Sequence, residues 1–239
     1  MARPLQTAMA SFRIKSKVAI AKIGVDSRRL DTLVNLPKIE TWRREHVPDG
    51  TPAFAERTAM YDHVHASLIG DAPIDYLEFG VFQGSSLRHW VEMNHHPESR
   101  FFGFDSFEGL PENWKRFDGR MVKAHFDVDG ALPDIQDDRL SFVPGWFQQT
   151  LDLFLETFDH DPQRQLVVHV DSDLYSSALY VLTRLDALLV PGTIVLFDEF
   201  SSVLNEFQAL DNYCSAYMRE YDVLASAWHY FGHLAIKMR

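Results

Sequence analysis

The sequence contains very little cysteine and no long apolar segment. A single cysteine, Cys214, stands among 239 residues, so neither an intrachain disulfide nor a cysteine-based zinc cage is available. This composition favours a reducing, cytoplasmic setting. No stretch approaches the roughly 18 to 20 uninterrupted apolar residues of a membrane span, and the N-terminus lacks the apolar core of a signal peptide. We therefore expect a soluble protein without a transmembrane segment.

Positive charge is also scarce. The chain has 34 Asp and Glu against 23 Lys and Arg, and its formal net charge of -11 disfavours general binding to nucleic acid. The exception is residues 1–30, which contain one acid, Asp26, and the basic residues Arg3, Arg13, Lys15, Lys17, Lys22, Arg28 and Arg29. This basic N-terminal segment is interpreted either as a solvated arm that docks on the acidic body, or as an interfacial helix that contacts anionic lipid or a partner.

From Ile74 onward the sequence alternates short apolar runs with helical stretches. Such alternation is typical of βαβ units, in which helices cover both faces of a mostly parallel sheet. The predicted strands are Ile74–Phe79, Phe101–Phe104, Leu140–Val143, Leu166–Val170 and Ile194–Phe197. The predicted helices are Ser85–Met93, Thr150–Phe158, Ser176–Leu189 and Glu206–Tyr217, and a hairpin-like pair, Tyr221–Ala227 and His233–Met238, follows them. The sequence therefore predicts the α/β class.

The length of the chain suits one large domain. Residues 73–239 are predicted to form the α/β domain proper, and residues 1–72 an N-terminal helical segment. Within that segment, Ala53–Leu68 is predicted to be a helix that acts as a lid or flanks the sheet. Tyr61 in this helix has two open interpretations, which are aromatic packing and contact with a cofactor or acceptor.

The first predicted strand ends in a glycine-containing turn, YLEFGVFQGSSLR. It places Glu78 at the strand end, Gly80 and Gly84 in the turn, and Ser85 and Ser86 at the start of a helix. Glycines let a ligand lie against bare backbone, and the serines can cap the helix or donate hydrogen bonds. The Gly-x-x-x-Gly spacing departs from the dinucleotide fingerprint, and Glu78 would repel phosphate. The turn therefore favours S-adenosylmethionine over NAD, with a generic strand-to-helix turn as the alternative.

An acid also ends the second predicted strand. In FFGFDSFEGLP, Asp105 directly follows the apolar run, at a position where a carboxylate accepts hydrogen bonds from ribose hydroxyls in nucleotide-binding folds. We predict this ribose contact for Asp105, against the alternative of an unrelated surface aspartate.

Two later strands end in pairs of acids. The segments HVDSDLY and LFDEF deliver Asp171, Asp173, Asp198 and Glu199 to the same edge of a parallel sheet. Four unpaired acids in one crevice would repel each other, and a hard divalent cation such as Mg²⁺ would relieve that repulsion. No histidine or cysteine set is expected to compete for a softer metal. The alternative is that the acids cap helices or pair with arginine, and Asp173 is the member that best fits such a cap.

Five motifs occur in an order that resembles the TylF-like (macrocin O-methyltransferase) family. They are LEFGVFQGSS, GFDSFEGLPENW, FVPGWFQQTL, HVDSDLY and FDEF, and they cover about Tyr76 to Phe200. The resemblance implies a Rossmann-like class I methyltransferase fold, with a seven-stranded, mostly parallel sheet whose last strand is antiparallel. It also implies Mg²⁺-dependent methyl transfer from S-adenosylmethionine to a sugar hydroxyl.

The resemblance also implies roles for individual residues. The metal ligands that it implies are Asp171, Asp198 and Glu199, and the general base that it implies is Asp173. Its cofactor site includes Glu78, Gly80, Ser86, Asp105 and Trp146, with Trp146 near the adenine. Two positions depart from related sequences: Glu199 stands where a second aspartate is common, and Leu174 replaces the catalytic lysine of catechol-type relatives.

Three hypotheses about function follow from the sequence. The first is a metal-assisted O-methyltransferase that acts on a hydroxyl of a sugar or of a glycosylated small molecule, as a homo-oligomer, with a methyltransferase of a non-sugar small molecule as its alternative. The second is a catalytically inactive protein that binds S-adenosylmethionine and docks to a partner or membrane through the basic N-terminal segment. The third is a metal-dependent hydrolase, which the glycine turn and Asp105 disfavour. His169 is interpreted as a core residue rather than as a ligand.

Overall fold

The computed structural model describes residues 27–112, 114–115, 121–122 and 126–239. Its helices are α1 (Ser27–His46), α2 (Arg57–Leu68), α3 (Ser85–Met93), α4 (Phe147–Leu155), α5 (Tyr175–Arg184) and α6 (Glu206–Tyr217). Its strands are β1 (Ala53–Phe54), β2 (Ile74–Phe79), β3 (Arg100–Asp105), β4 (Trp114–Lys115), β5 (Met121–Val122), β6 (Leu140–Pro144), β7 (Gln165–Val170), β8 (Ile194–Phe197), β9 (Tyr221–Ala227) and β10 (His233–Met238). Strands β4 and β5 form a separate two-stranded ribbon.

The main sheet has the strand order β1-β9-β10-β8-β7-β2-β3-β6. Its pairs are parallel except those of β10, which runs antiparallel to both β8 and β9. The mostly parallel sheet with an antiparallel last strand is therefore confirmed. The sheet has eight strands rather than the predicted seven, because Ala53 and Phe54 pair with Ser226 and Ala227 at its edge.

Each face of the sheet has its own hydrophobic core, because alternate residues of a strand point to opposite faces. On one face, Leu77 and Phe79 of β2 share a core with residues of α1, α4, α5 and α6. On the other face, Tyr76 shares a core with α2 and α3, including Met60 and Trp90. Helices thus cover both faces as predicted, and the side chains of Glu78 and His169 lie on the face covered by α2 and α3.

Three predicted helix boundaries are wrong. The helix predicted at Thr150–Phe158 spans Phe147–Leu155, because the chain turns at Gly145 (φ +132°) and Trp146 takes the extended N-cap position. The helix predicted at Ser176–Leu189 ends at Arg184, and short turns follow it. The helix predicted at Ala53–Leu68 begins at Arg57, since Ala53 and Phe54 form β1 at the sheet edge.

Residues 1–26 lie outside the described part of the chain, and with them most of the basic N-terminal segment. Arg28 and Arg29 fall in the first turn of α1. Of the helices in the described ranges, none combines the length and the apolar character that crossing a bilayer requires.

Candidate functional site

A cleft opens at the carboxyl ends of β2, β3, β7 and β8. Nine of the eleven residues that the sequence singles out line it, namely Gly80, Ser85, Ser86, Asp105, Trp146, Asp171, Asp173, Asp198 and Glu199. The other two, Glu78 and Gly84, are not among the residues that line the cleft. Ligands of parallel α/β sheets bind at this edge, so the cleft is the candidate active site.

The glycine turn brings the end of β2 against the end of β7. Gly80 has φ +103°, and a Cβ atom on it would lie 1.7 Å from the carbonyl oxygen of Asp171. Gly84 has φ +76° and occupies the N-cap position of α3, where a Cβ atom would lie 2.9 Å from the Pro133 side chain. Both glycines are therefore required by close packing, and the absence of a side chain at Gly80 lets the turn lie directly against the backbone of Asp171.

Asp105 holds the backbone of the glycine turn. Its Oδ2 atom accepts hydrogen bonds from the amides of Val81 and Phe82, each at 2.8 Å, and its Oδ1 atom accepts one from Phe107 at 2.8 Å. The carboxylate still lines the cleft, so the predicted ribose contact stays a prediction. A ribose there would share oxygen atoms that already accept three backbone amides.

Glu78 is fully buried at the centre of a polar network beneath the cleft. The hydroxyl of Tyr76 donates to Oε2 of Glu78, and Nδ1 of His169 lies 3.3 Å from the same atom. The hydroxyl of Ser86, which does line the cleft, donates to Oε1 at 3.3 Å. Burial, together with the nearby charge of Glu78, raises the pKa of Tyr76 well above its usual value. Glu78 thus contacts the cleft through Ser86.

Asp171 and Asp198 come together where β7 and β8 end. Together with His169 they form a group whose ligand atoms all lie within 4.8 Å of one another. Contrary to the sequence-based expectation, a histidine therefore lies within reach of this site. Glu199, which the sequence predicts as a ligand, lines the same cleft but is not a member of this group.

His169 is buried, as predicted for a core residue, but it also links the two halves of the site. Its Nδ1 atom lies 2.8 Å from the hydroxyl of Tyr76, and its Nε2 atom lies 3.3 Å from the hydroxyl of Tyr61. The Tyr61 hydroxyl also donates to Oδ1 of Asp198 at 3.3 Å. The ring of Tyr61 therefore packs in the core, and its hydroxyl helps to orient Asp198.

The pKa values of the two central acids move in opposite directions. Burial, with the nearby charges of Asp198 and Asp173, raises the pKa of Asp171 well above its usual range. Burial would also raise the pKa of Asp198, but His233, 3.0 Å from Oδ1, and Arg57 outweigh it and hold that pKa below the usual range. Asp198 is therefore stabilised as an anion, whereas the ionised form of Asp171 is disfavoured.

Arg57, at the start of α2, supplies positive charge that the sequence patterns did not reveal. Its Nη1 atom lies 2.8 Å from Oδ2 of Asp198 and 3.8 Å from Oδ2 of Asp171, and its Nη2 atom donates to Oγ of Ser85 at 2.8 Å. The guanidinium thus spans the cleft from the acid pair to the glycine turn. No local motif signals this contact, because Arg57 and Asp198 are 141 positions apart.

Glu206, also missed from the sequence, ties the two acid-bearing loops together. It is fully buried at the start of α6. Its Oε1 atom accepts the amide of Ser172 at 3.2 Å, and its Oε2 atom accepts the amide of Glu199 at 2.9 Å. Ser172 follows Asp171, and Glu199 follows Asp198, so one carboxylate fixes the spacing of both acids.

Replacing Glu206 with Gln should loosen this spacing. An amide side chain has one acceptor oxygen, so one of the two backbone amides would face an NH₂ group in a buried place. We expect the free energy of unfolding in urea to fall by about 1–3 kcal/mol, and divalent-cation affinity to weaken. Glu220→Gln, at an exposed position just beyond α6, is the matched control and should change neither quantity. Unchanged stability of Glu206→Gln would show that the two loops hold their spacing without it.

Comparisons with known proteins agree with this geometry. The family described as macrocin-O-methyltransferase (TylF) matches residues 55–229. The chain is 30% identical over 159 residues to the 8-demethyl-8-(2,3-dimethoxy-alpha-L-rhamnosyl)-tetracenomycin-C 4'-O-methyltransferase of Streptomyces olivaceus, covering 58% of this chain and 57% of that protein. It is 26% identical over 156 residues to the mycinamicin III 3''-O-methyltransferase of Micromonospora griseorubida, covering 57% of this chain and 59% of that protein. The alignments thus span little more than half the length of these curated relatives.

Solved structures share the fold. The O-methyltransferase NovP superposes with a TM-score of 0.54 at 20% identity, over 76% of this chain and 78% of NovP. The apo structure of CalS11, a TDP-rhamnose 3'-O-methyltransferase, superposes with a TM-score of 0.52 at 20% identity, over 76% and 78% of the two chains. These similarities confirm the class I methyltransferase fold.

Proposed function

Because the chain belongs to the macrocin-O-methyltransferase (TylF) family, we propose that it is an S-adenosylmethionine-dependent, divalent-metal-assisted O-methyltransferase. Its acceptor would be a hydroxyl of a sugar or of a glycosylated small molecule. One observation carries the proposal: the glycine turn and the Asp171–Asp198 pair open into the same cleft. A methyl donor on one side and an acceptor hydroxyl on the other would meet there. One relative is named as a methyltransferase of a rhamnosyl tetracenomycin, which supports a sugar acceptor.

The residues of the cleft fit S-adenosylmethionine. Gly80 leaves bare backbone at the turn, Ser85 and Ser86 line the cleft, and Trp146 offers an aromatic wall. The buried hydroxyl of Ser172 also lines the cleft and has no hydrogen-bond partner among the described residues, so a ligand could satisfy it. Glu78 would act through Ser86 rather than by direct contact.

The acid pair fits a divalent cation. Carboxylates of Asp171 and Asp198 converge, and the Arg57 guanidinium beside them shows that this position is complementary to positive charge. Mg²⁺ is the proposed ion, with Glu199 as a further ligand, although the neighbouring His169 would also suit a somewhat softer metal such as Mn²⁺. When bound, such an ion lowers the pKa of an acceptor hydroxyl and orients it.

In the proposed reaction, Asp173 takes the proton of the acceptor. The hydroxyl oxygen forms a bond to the methyl carbon, and the carbon–sulfur bond of the donor breaks, leaving its electron pair on sulfur. Asp173 lies in the loop after β7, is buried and lines the cleft, which supports its proposed role beside the acceptor. Because Asp171 and Asp198 would hold the cation, Asp173, which also lines the cleft, is the proposed proton acceptor.

A chelator experiment tests the proposed function. We expect calorimetry to show S-adenosylmethionine binding both with and without Mg²⁺. Turnover of a responsive glycoside acceptor should fall at least about 100-fold with EDTA and return with excess Mg²⁺. Binding without turnover on any glycosylated acceptor would favour the inactive binding protein, and hydrolysis without S-adenosylmethionine binding would favour the metal-dependent hydrolase. Turnover that is indifferent to EDTA would exclude the metal from the reaction.

We further propose that residues 73–239 form the catalytic domain and that residues 1–72 flank it and cover the acceptor. The lone Cys214 supports a cytoplasmic setting, and the basic N-terminal segment is proposed to dock on the acidic body or to contact a membrane surface. A homo-oligomer is the proposed assembly.

A further inference from the structure

The two oxygens of the Asp198 carboxylate have different surroundings. Oδ1 is approached by the hydroxyl of Tyr61 at 3.3 Å, by Nδ1 of His233 at 3.0 Å and by Nε2 of His169 at 4.0 Å. These three side chains come from α2, β10 and β7, which form the framework of the fold. Oδ2 instead faces the guanidinium of Arg57 at 2.8 Å. Oδ1 thus accepts a hydrogen bond from the framework, through Tyr61, and has two histidines nearby, while Oδ2 faces a cation on a long side chain.

Arg57 belongs to a firmly placed helix but carries its charge on a flexible arm. Helix α2 is fixed by its buried residues Met60, Tyr61 and Val64. The Arg57 side chain is 30% exposed and lines the cleft, so its guanidinium has room to move without any shift of the helix. Burial opposes the charge of Arg57, but Asp198 and Asp171 outweigh it and raise its pKa, so the group stays cationic.

We propose that Arg57 is the resident counter-cation of the Asp171–Asp198 pair and that a divalent cation must displace it from Oδ2 of Asp198 in order to bind. This inference rests on the proposed function, because it deepens the role of the same acids. Without positive charge beside them, the carboxylates of the half-buried Asp171 and the buried Asp198 would repel each other, which would lower stability when no metal is bound. Arg57 removes that cost, and in exchange it competes with the metal for an oxygen ligand.

The competition has a direct consequence for metal affinity. Removing the charge of Arg57 should strengthen Mn²⁺ binding by at least about tenfold, since a unit charge within 4 Å of the ligand oxygens no longer opposes the ion. Mn²⁺ is the probe because its electron paramagnetic resonance signal reports free and bound ion directly. The measurement is a titration of the full chain with Mn²⁺, in wild type and in Arg57→Gln.

Arg100→Gln is the matched control. Arg100 also pairs with a buried aspartate, at 2.8 Å from both oxygens of Asp75, but it lies at the opposite end of the sheet. Both variants should melt at lower temperature than wild type in the absence of metal. Mn²⁺ should recover the melting temperature of Arg57→Gln and leave that of Arg100→Gln low, while the Mn²⁺ affinity of Arg100→Gln should match wild type.

The wild-type protein offers a second measurement that does not depend on how a variant folds. Phenylglyoxal modifies accessible guanidinium groups, and mass spectrometry reads the rate at each arginine. If Mn²⁺ displaces Arg57, its modification should become several-fold faster in the presence of the ion, while that of Arg100 should not change. An unchanged or slower rate at Arg57 would count against displacement.

The outcomes separate this inference from the proposed function. Equal or weaker Mn²⁺ binding in Arg57→Gln, with clear binding in wild type, would overturn the inference and leave the metal-assisted reaction standing. Binding in Arg57→Gln but not in wild type would support the inference and remove the metal from the reaction of the natural protein. Absence of binding in both would overturn both.

Discussion

Replacing Asp173 with Asn should lower turnover by about 10²–10⁴-fold while changing S-adenosylmethionine affinity little, because the substitution removes the proposed proton acceptor and nearly preserves the size of the side chain. Asp173 is buried, lines the cleft and has φ +59° in the left-handed region. Asn has nearly the same size and tolerates that region well, so the loop after β7 should keep its path. Initial rates at saturating donor and acceptor, with calorimetry for the donor, measure the two quantities.

Asp129→Asn is the matched control for Asp173→Asn. Asp129 also has a left-handed φ, +54°, but it is exposed in the loop before Gly130. Its replacement should leave turnover unchanged, which would show that the substitution type and the backbone region are harmless in themselves. If Asp173→Asn keeps wild-type turnover, Asp173 has no part in proton transfer, and another group in the cleft must accept the proton.

Much of the sheet could be predicted from the sequence because its strands are short segments rich in apolar residues. The bounds of β2, β8, β9 and β10 agree with the predictions, and the residues of β2 and β8 are all buried. Helix ends were less predictable. The start of α4 depends on the turn at Gly145 and Trp146, and the apolar residues after Arg184 continue the helical pattern although the chain turns there.

The cleft could be predicted to the extent that its residues follow strands. Asp171 and Asp198 end neighbouring parallel strands, so their meeting follows from the topology alone. Arg57 and Glu206 do not stand at strand ends but at the starts of helices. Their contacts depend on where each helix begins relative to a loop that is distant in the sequence, and a single sequence does not reveal this. Glu78 was predicted at the cleft. It lies two residues after Tyr76 in β2, so both side chains point to the same face of the sheet, and Glu78 joins the buried polar network there.

Gly80 is the position where the backbone leaves least room for a side chain. It joins β2 to the glycine turn, and its amide donates to the carbonyl oxygen of Phe104 at 2.9 Å. An added Cβ atom would lie 1.7 Å from the carbonyl oxygen of Asp171, which is backbone and cannot rotate away. To accept a methyl group here, the ends of β2 and β7 would have to separate, and Asp171 would move with them.

Gly80→Ala should therefore lower the free energy of unfolding by more than about 4 kcal/mol, beyond the usual range of single substitutions, and abolish binding of both S-adenosylmethionine and Mn²⁺. Gly192→Ala separates the two causes. Gly192 has φ +102°, almost the same as Gly80, but a Cβ atom on it would meet nothing within 4 Å. Its replacement should cost only the backbone strain, about 1–2 kcal/mol, and leave ligand binding intact. Urea denaturation of both variants measures the difference, and similar losses would mean that strain at positive φ, rather than contact with Asp171, makes Gly80 necessary.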